Sequence, residues 1–394
     1  MTAFFYFYTM HIQTILTNYS SFQEQTLTNR FFKHEDILPL IKQLPPTFTI
    51  STLGNSVKGR SINAVKWGNG KTKVMLWSQM HGDEATGSMA LFDLFNFLQQ
   101  DNQTVKLLDE NCQLLMIPMV NPDGAAVFTR RNAQQIDINR DFIQTASPEA
   151  KILKQIRADF EPNFGFNLHD QTTLWSVDET LKPATLSYLA PAYDKALSVN
   201  QTRENAMLVI ADMFKELDPL LPQHIGLFDD EYEPRAFGDN FQHAGTSTIL
   251  IEAGGYPNDP EKQQIRKYYF ASILSGLTSI ASKSYENQNT ANYFAIPQNN
   301  KQIFHMMIHN LILDGIKVSV GVNYDECPND NGMSTYKSYS IQDIGDLSFC
   351  DAYEVYDAQH CQLKGTITFN KAADFELLKD ERSILAFKDG ILTV

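Results

Sequence analysis

Four short apolar runs constrain the fold of this chain most, because each is typical of a buried β-strand and each ends at polar residues. The runs cover residues 73–79, 113–120, 164–168 and 246–251. Segments with helical apolar spacing, such as residues 149–160, lie between them. Near-continuous apolar strands separated by helices are typical of an α/β sheet covered on both faces. Ligands of such folds bind outside the carboxyl ends of the strands, so we expect the functional site there.

The composition indicates a globular protein with more than one domain. A chain of 394 residues exceeds one ordinary hydrophobic core. With 43% hydrophobic and 11% aromatic residues it is far from the composition of disordered chains. The net charge of -14 disfavours binding to nucleic acid or to an anionic membrane, so we expect neither as a partner.

A change in composition and in the pattern of apolar residues near residue 285 predicts a domain boundary. Residues 286–300 are rich in Asn and Gln and resemble a linker, and residues 301–313 predict a helix. Short alternating strands then follow, at residues 316–322, 339–344, 365–369 and 383–387. We therefore predict an N-terminal extension at residues 1–50 that packs on a catalytic domain at residues 51–289, and a small β-rich C-terminal domain at residues 290–394.

The N-terminus and the cysteines favour a cytoplasmic protein. The apolar start lacks a basic segment and a cleavage site, so we predict no signal peptide, and Met10 is an alternative start. No run of about 18 apolar residues predicts a membrane helix. The four cysteines are scattered without a paired motif, which favours a reducing compartment.

A motif for a metal site follows the first apolar run. His81 and Glu84 are three residues apart where a strand gives way to a helix, so one turn can aim both side chains at one point. Catalytic zinc commonly takes two imidazoles and one carboxylate and leaves one position open. His169, at the end of another predicted strand, is the candidate for the second imidazole. We predict one Zn²⁺ per chain, held by His81, Glu84 and His169.

Two further histidines have the spacing of zinc ligands on a helix. His305 and His309 are four residues apart, but the Glu that follows the first His in such motifs is absent. We therefore predict structural roles for both.

The order of the motifs resembles the zinc carboxypeptidase family over roughly residues 50 to 285. The motifs are His81-Gly-Asp-Glu84, Asn121-Pro-Asp-Gly124, Asp137-Ile-Asn139-Arg140, His169 and Glu252. The resemblance is to bacterial cytoplasmic members, and more distantly to the succinylglutamate desuccinylase and aspartoacylase group. It implies a mixed, twisted central sheet with helices on both faces, one zinc ion, and hydrolysis of a C-terminal peptide or amide bond.

The resemblance also implies roles for residues around the metal. Glu252 matches the general base, which takes a proton from the attacking water and returns it to the leaving amine. Arg130 matches the arginine that stabilises the oxyanion, and the adjacent Arg131 is a fallback that is more typical of an exposed salt bridge. Asp137 matches the acceptor that orients His81. The Asn121-Pro-Asp-Gly124 segment is expected to be a turn that shapes the site.

A second group of residues matches the substrate pocket. Asn139 and Arg140 resemble the pair that binds the terminal carboxylate of the substrate. Tyr232 lies in about the interval of the family's mobile tyrosine, although its surroundings depart from the family pattern. Arg235 is a second candidate contact for an anionic group.

Three functions stay open at this point. The first is a metallocarboxypeptidase acting on a small peptide or amino-acid conjugate. The second is a zinc-dependent deacylase of N-acyl amino acids, which shares the zinc ligands and an Asn-Arg pair. The third is a non-catalytic binding module, against which the presence of Glu252 argues. The side-chain specificity, and whether the chain forms a homo-oligomer, are not fixed by the sequence.

Overall fold

The structure, a computed structural model, describes residues 12–394. The apolar start of the chain, to which the prediction of no signal peptide and the alternative start at Met10 refer, lies outside the described residues. The chain divides into two compact units. The first comprises the described residues up to Thr173 together with Ala184–Asn299, and the second comprises Leu174–Pro183 together with Asn300–Val394.

The first unit is built around an eight-stranded sheet. The first nine strands in chain order are β1 (Thr49–Asn55), β2 (Ser61–Trp67), β3 (Thr72–Ser78), β4 (Cys112–Ile117), β5 (Phe164–Asp170), β6 (Ser176–Val177), β7 (Leu186–Leu189), β8 (Ile225–Leu227) and β9 (Ser247–Ala253). The sheet has the order β1-β2-β4-β3-β5-β9-β7-β8. Strands β4, β3, β5 and β9 are parallel to one another, whereas β2 and β7 are antiparallel to their neighbours β4 and β9. The sheet is therefore mixed.

Several of the helices begin at a residue whose side chain caps the first turn. They are α1 (Ile12–Thr17), α2 (His34–Lys42), α3 (Thr86–Phe97), α4 (Gln103–Asn111), α5 (Pro122–Val127), α6 (Pro148–Phe160), α7 (Gln201–Leu217), α8 (Phe237–His243), α9 (Gln263–Ser282) and α10 (Thr290–Phe294). Short 3-10 helices cover Tyr19–Ser21, Ile138–Arg140, Asp178–Thr180 and Ser284–Asn287. The Ser147 hydroxyl caps α6 and the Asn200 side chain caps α7, each by accepting a hydrogen bond from a backbone N–H of the first turn.

Both faces of the central sheet are covered, because side chains alternate between two apolar layers. On β3, Val74 and Leu76 join the larger core, while Met75 and Trp77 join the smaller one. Helices α3, α7 and α9 supply side chains to the larger core, and α6 and α8 supply them to the smaller core. The predicted α/β fold with a mixed sheet and helices on both faces is confirmed.

The second unit consists of β-sheets. Its strands are β10 (Asn299–Asn300), β11 (Ile303–Leu313), β12 (Ile316–Pro328), β13 (Thr335–Gly345), β14 (Asp351–Asp357), β15 (Gln362–Thr366), β16 (Asp374–Lys379), β17 (Arg382–Lys388) and β18 (Ile391–Leu392), of which β10 begins at the last residue of the first unit. Two four-stranded sheets have the orders β13-β12-β11-β14 and β15-β16-β17-β18. They share one apolar core. The expectation of a β-rich C-terminal region is confirmed.

The predicted helix at residues 301–313 is wrong, because this segment forms β11. Leu313 pairs with Ile316 across the two residues Asp314 and Gly315, which both have positive φ angles. Such an Asp-Gly pair is the strongest short hairpin signal, and here it outweighs the helical spacing of the apolar residues. His305 and His309 therefore lie on a strand and not on a helix turn. His305 stacks on Tyr324 with the ring centroids 3.6 Å apart.

The segment at residues 286–300, which resembled a linker, contains the short helix α10. The ring of Tyr293 in this helix is buried, and its hydroxyl oxygen accepts a hydrogen bond from the Ala190 N–H at 3.2 Å. The Asn-rich composition reflects capping, since the Asn289 side chain accepts from the Asn292 N–H. Up to Asn299 the segment is therefore part of the first unit.

Among the described helices, none is both long and apolar enough to cross a membrane.

A buried ion pair fastens the N-terminal segment to the helices of the first unit. The guanidinium of Arg266 on α9 contacts the carboxylate of Asp93 on α3, and both side chains are fully buried. The Tyr19 hydroxyl donates to Asp93 at 2.5 Å, and Arg266 also donates to the carbonyls of Glu24 and Leu27. Three separate parts of the chain, namely α3, α9 and residues 19–27, therefore depend on one pair of charges.

Replacing Arg266 with Met is expected to reduce the free energy of unfolding by about 3–5 kcal/mol, because it leaves the Asp93 carboxylate buried without its counter-charge. Urea unfolding followed by tryptophan fluorescence measures this loss. The double variant Asp93→Asn, Arg266→Met removes both charges and should recover part of the loss. Arg382→Met, on the exposed surface of β17, serves as the control and should change the stability by less than about 0.5 kcal/mol.

Candidate functional site

Three neighbouring parallel strands bring the polar ends of the apolar runs together. Strand β5 lies between β3 and β9, so the carboxyl ends of all three meet at one edge of the sheet. His169 on β5 lies directly beside Glu252 on β9 in the register of the ladder. His81 and Glu84 lie in the turn between β3 and α3. The site therefore forms at the edge that the sequence predicts.

The two imidazoles and the carboxylate of Glu84 converge on one point. His81 Nδ1 lies 2.7 Å from Glu84 Oε1, and His169 Nδ1 lies 2.7 Å from Glu84 Oε2. One ligand atom from each of the three residues lies within 4.8 Å of the others, and all three residues are buried. Two nitrogen donors and one carboxylate in this arrangement fit the donor set of a zinc ion with an open coordination position.

The buried charged groups at this point shift one another's pKa values. Burial favours the neutral form of Glu84, but the neighbouring His81 and His169 outweigh it and hold the pKa of Glu84 well below its usual range. Burial, Glu84 and Asp170 together raise the pKa of Glu252 well above its usual range. The pKa values of the two glutamates at this edge are therefore shifted in opposite directions.

Asp137 and Arg130 contact the candidate metal ligands His81 and Glu84 from a neighbouring loop. Asp137 Oδ1 lies 3.1 Å from His81 Nε2, the nitrogen that faces away from Glu84. Arg130 Nε lies 3.0 Å from Asp137 Oδ2, and Arg130 Nη1 lies 3.1 Å from Glu84 Oε1. Burial opposes ionisation of Asp137, but His81 and Arg130 keep its pKa below its usual range. The exposed Arg131 instead donates to the Gln135 carbonyl and has no contact with this group among the described residues.

Arg140 shares an acidic partner with Arg235. Arg140 Nε lies 3.1 Å from Glu233 Oε2, and Arg235 binds both oxygens of the same carboxylate at 2.9 and 2.7 Å. The hydrogen bonds from Arg235, together with the charge of Arg140, lower the pKa of Glu233 to about 2. Tyr232 is half-buried in the same loop. The proposed carboxylate clamp therefore includes an internal carboxylate that the sequence analysis did not consider.

Asn139 is buried and serves partly as a connection within the fold. Its Oδ1 accepts a hydrogen bond from the Phe237 N–H at 2.9 Å, where α8 begins. Its own N–H donates to Asp137 Oδ1 at 2.9 Å. Asn139 thus links the loop that contacts His81 to the loop that carries Glu233.

The Asn121–Gly124 segment supports the turn that carries His81. It forms the beginning of α5 rather than an isolated turn, with Asn121 as the capping residue. Asn121 Nδ2 donates to the Met80 carbonyl at 3.2 Å and lies 3.3 Å from the Arg130 carbonyl. A Cβ atom on Gly82 would lie 2.0 Å from the Gly124 carbonyl carbon, so the two backbones pack too closely for any side chain.

Two charged residues at this edge escaped the sequence analysis. Asp170 directly follows His169, and its carboxylate lies 3.1 Å from Lys262 Nζ. A signal for Asp170 was available, since it ends the same apolar run. Lys262 is 92 residues away in the chain and has no motif around it, so nothing in the sequence indicated its position.

Zn²⁺ binding is expected to raise the thermal midpoint of the wild-type protein, because a ligand at 100 times its Kd stabilises the folded state by about 2.7 kcal/mol. His81→Ala should abolish the increase, since it removes one of the three donors. Differential scanning calorimetry with and without a chelator measures both. His360→Asn is the control on an exposed histidine whose positive φ angle asparagine accepts, and it should keep the wild-type response. An equal response in the His81→Ala protein would place the metal elsewhere.

Comparison with known proteins points to one family. Residues 35–175 match the family model described as zinc carboxypeptidase. The probable carboxypeptidase 2 of Trichophyton verrucosum is 31% identical over 102 residues, which are 26% of this chain and 20% of that protein. A zinc carboxypeptidase of Simulium vittatum is 30% identical over 154 residues, or 38% of this chain and 45% of that protein. The matched regions thus span less than half the length of these relatives.

Solved structures share the fold. A metallo-carboxypeptidase from Burkholderia cenocepacia superposes with a TM-score of 0.53 at 17% identity, over 64% of this chain and 69% of that one. The carboxypeptidase A of Helicoverpa armigera superposes with a TM-score of 0.52 at 16% identity, over 70% of this chain and 80% of that one. At these identities the likeness concerns the fold alone.

Proposed function

We propose that this chain is a zinc-dependent metallocarboxypeptidase, because residues 35–175 match the zinc carboxypeptidase family model and curated carboxypeptidases share sequence with it. It would hydrolyse a peptide or amide bond next to a free carboxylate in a small peptide or amino-acid conjugate. The observation that carries the proposal is the convergence of His81, Glu84 and His169 beside Glu252, which lies outside the matched segment of residues 35–175.

The three buried ligands would hold one Zn²⁺ per chain. When bound, the ion supplies a Lewis acid that polarises the scissile carbonyl and lowers the pKa of a water molecule. Asp137 would fix the tautomer of His81 by accepting from Nε2, so that Nδ1 keeps its lone pair for the metal. Glu84 is kept ionised by its surroundings, as a ligand must be.

Glu252 would act as the general base. Its Oε2 is buried and has no hydrogen-bond partner among the described residues, so it is free to accept a proton from the attacking water. The water oxygen forms the new bond to the carbonyl carbon, and the C–N bond then breaks as Glu252 passes the proton to the leaving amine.

The arginines would bind the two negative charges of the reacting substrate. Arg130 would donate to the carbonyl oxygen as its charge develops, which is where its guanidinium beside Glu84 can reach. Arg140, with Asn139, would bind the terminal carboxylate, and Arg235 lies close enough to Arg140 to share Glu233. Tyr232 in the same loop is proposed as a further substrate contact, and a cytoplasmic location is proposed from the sequence alone.

Glu252→Gln is expected to lower kcat by at least about 100-fold, because proton transfer by a positioned base contributes 10²–10⁴-fold. Zinc content should stay at one per chain. Release of the terminal amino acid from N-acylated dipeptides measures the rate, and the exposed Glu231→Gln is the control. Equal activity on C-terminally amidated peptides, or turnover of N-acyl amino acids with none of dipeptides, would contradict the carboxypeptidase proposal.

Glu233→Gln is expected to lower KM for substrates with a free carboxylate by up to about fivefold, since an exposed ion pair contributes roughly 0.2–1 kcal/mol. The substitution removes the internal charge that competes for Arg140. Arg140→Gln should raise KM instead, and kcat should change little in either variant. Steady-state kinetics on one dipeptide substrate separate the two constants. A rise in KM for Glu233→Gln would show that Glu233 aids binding.

A further inference from the structure

The ends of β5 and β9 are joined from one side by the beginning of α9. Lys262 immediately precedes this helix and is buried. Its Nζ donates to the Ala253 carbonyl at 3.0 Å and lies 3.1 Å from Asp170 Oδ2. Ala253 follows Glu252 and Asp170 follows His169 in the chain. A single ammonium group therefore bridges the residues next to the proposed base and next to a proposed ligand.

The side chain of Tyr269, on α9, also contacts both β5 and β9. The Tyr269 hydroxyl lies 2.7 Å from the Ile251 carbonyl and 3.2 Å from the His169 carbonyl, and the side chain is fully buried. Ile251 precedes Glu252. The backbone of β9 is thus held on both sides of Glu252, by Tyr269 before it and by Lys262 after it.

The contacts of Asp170 continue the connection to the metal ligands. The Asp170 N–H donates to Glu84 Oε2 at 3.1 Å, and the Asp170 carboxylate accepts from the Thr86 hydroxyl at 2.7 Å. A displacement of Asp170 would therefore displace the Glu84 carboxylate, because one hydrogen bond joins the two residues directly. Lys262 is connected in this way to both the ligand group and the base.

A lysine at position 262 lowers stability more than a purely structural bridge requires. A buried ammonium must be removed from water, and apolar residues of similar volume usually stabilise such a place at least as well. Its backbone is also left-handed, with φ 53° and ψ 30°, a conformation that a residue with a Cβ adopts at a cost of roughly 1–2 kcal/mol. Strain and buried charge of this kind concentrate at functional sites.

We infer that Lys262 is a positioning residue that fixes Glu252 and His169 relative to each other by joining the two strand ends through the Ala253 carbonyl and Asp170. The inference rests on the proposed function, in which Glu252 is the base and His169 a ligand. Its charge also balances a region in which three carboxylates, those of Glu84, Asp170 and Glu252, lie close together.

Lys262→Met keeps an unbranched side chain, one atom shorter, and removes the charge and the hydrogen bonds of the ammonium group. We expect kcat to fall at least about tenfold and zinc affinity to fall about 10–100-fold, as for other residues that orient metal ligands. KM should change less than about twofold, because the substrate pocket around Arg140 does not involve Lys262. Dipeptide hydrolysis gives the two kinetic constants, and competition with a chelator gives the zinc affinity. Lys267→Met, which removes the same charge from the partly exposed side of α9, should behave as the wild type.

The double variant Asp170→Asn, Lys262→Met separates positioning from stability. It leaves no unpaired carboxylate where the ion pair was, so it should fold with near-wild-type stability even where the single variant does not. It still lacks the bond to the Ala253 carbonyl, so its kcat and zinc affinity should stay low. A stable double variant with wild-type kcat and zinc affinity would overturn the inference.

The two proposals fail in different ways. If the zinc-loaded wild type releases no terminal residue, the proposed function fails, and the zinc affinity of the double variant alone decides the inference. If Glu252→Gln is inactive and the double variant keeps the wild-type kcat, the proposed function stands and the role of Lys262 is refuted.

Discussion

The parallel pairing of β3, β5 and β9 is the constraint on which the rest of the structure depends. Because the three strands run side by side in one direction, their carboxyl ends meet, and residues 81, 169 and 252 reach the same edge from distant parts of the chain. The ladder sets His169 opposite Glu252, and a shift of one residue would turn one of the two side chains to the other face of the sheet. The apolar layers on both faces hold this register, since each strand contributes alternately to both.

Charge is concentrated at this edge at the expense of stability, and the surrounding loops offset part of the cost. Glu84 accepts hydrogen bonds from Arg130 and from the Asp170 N–H, and a ring nitrogen of each imidazole lies 2.7 Å from it, so its charge is met from several sides. Among the residues that the structure describes, Glu252 has no such set of partners, and it is held in place through its neighbours in the chain. Glu84 and Glu252 are therefore chemically different acids at the same edge of the sheet, because the carboxylate of Glu84 has several hydrogen-bond partners and that of Glu252 does not.

The sequence predicted the features that are local or periodic and missed those that depend on distant contacts. The strands β3, β5 and β9 were visible as apolar runs, and the candidate metal ligands followed because His81, Glu84 and His169 lie where two of these runs end. Residues 303–313 were misassigned because a strand and a short helix can share apolar spacing, although Asp314 and Gly315 carried the correct signal. The pairing of Arg140 with Glu233 and the position of Lys262 had no local signal, since each joins residues about 90 positions apart.

The second unit is formed by two segments that are distant in the chain, and this affects the order in which the protein folds. Leu174–Pro183 clusters with residues that are synthesised more than a hundred positions later. Within this unit the ring of Trp175 lies 4.7 Å from Lys301 Nζ, and the Ser176 hydroxyl donates to the Asn300 carbonyl. At roughly 5–20 residues per second, this segment waits on the order of ten seconds on the ribosome for its partners. The second unit therefore completes its fold only after the central sheet of the first unit has been translated, and a protein shortened at residue 300 would keep Leu174–Pro183 without the strands with which this segment clusters.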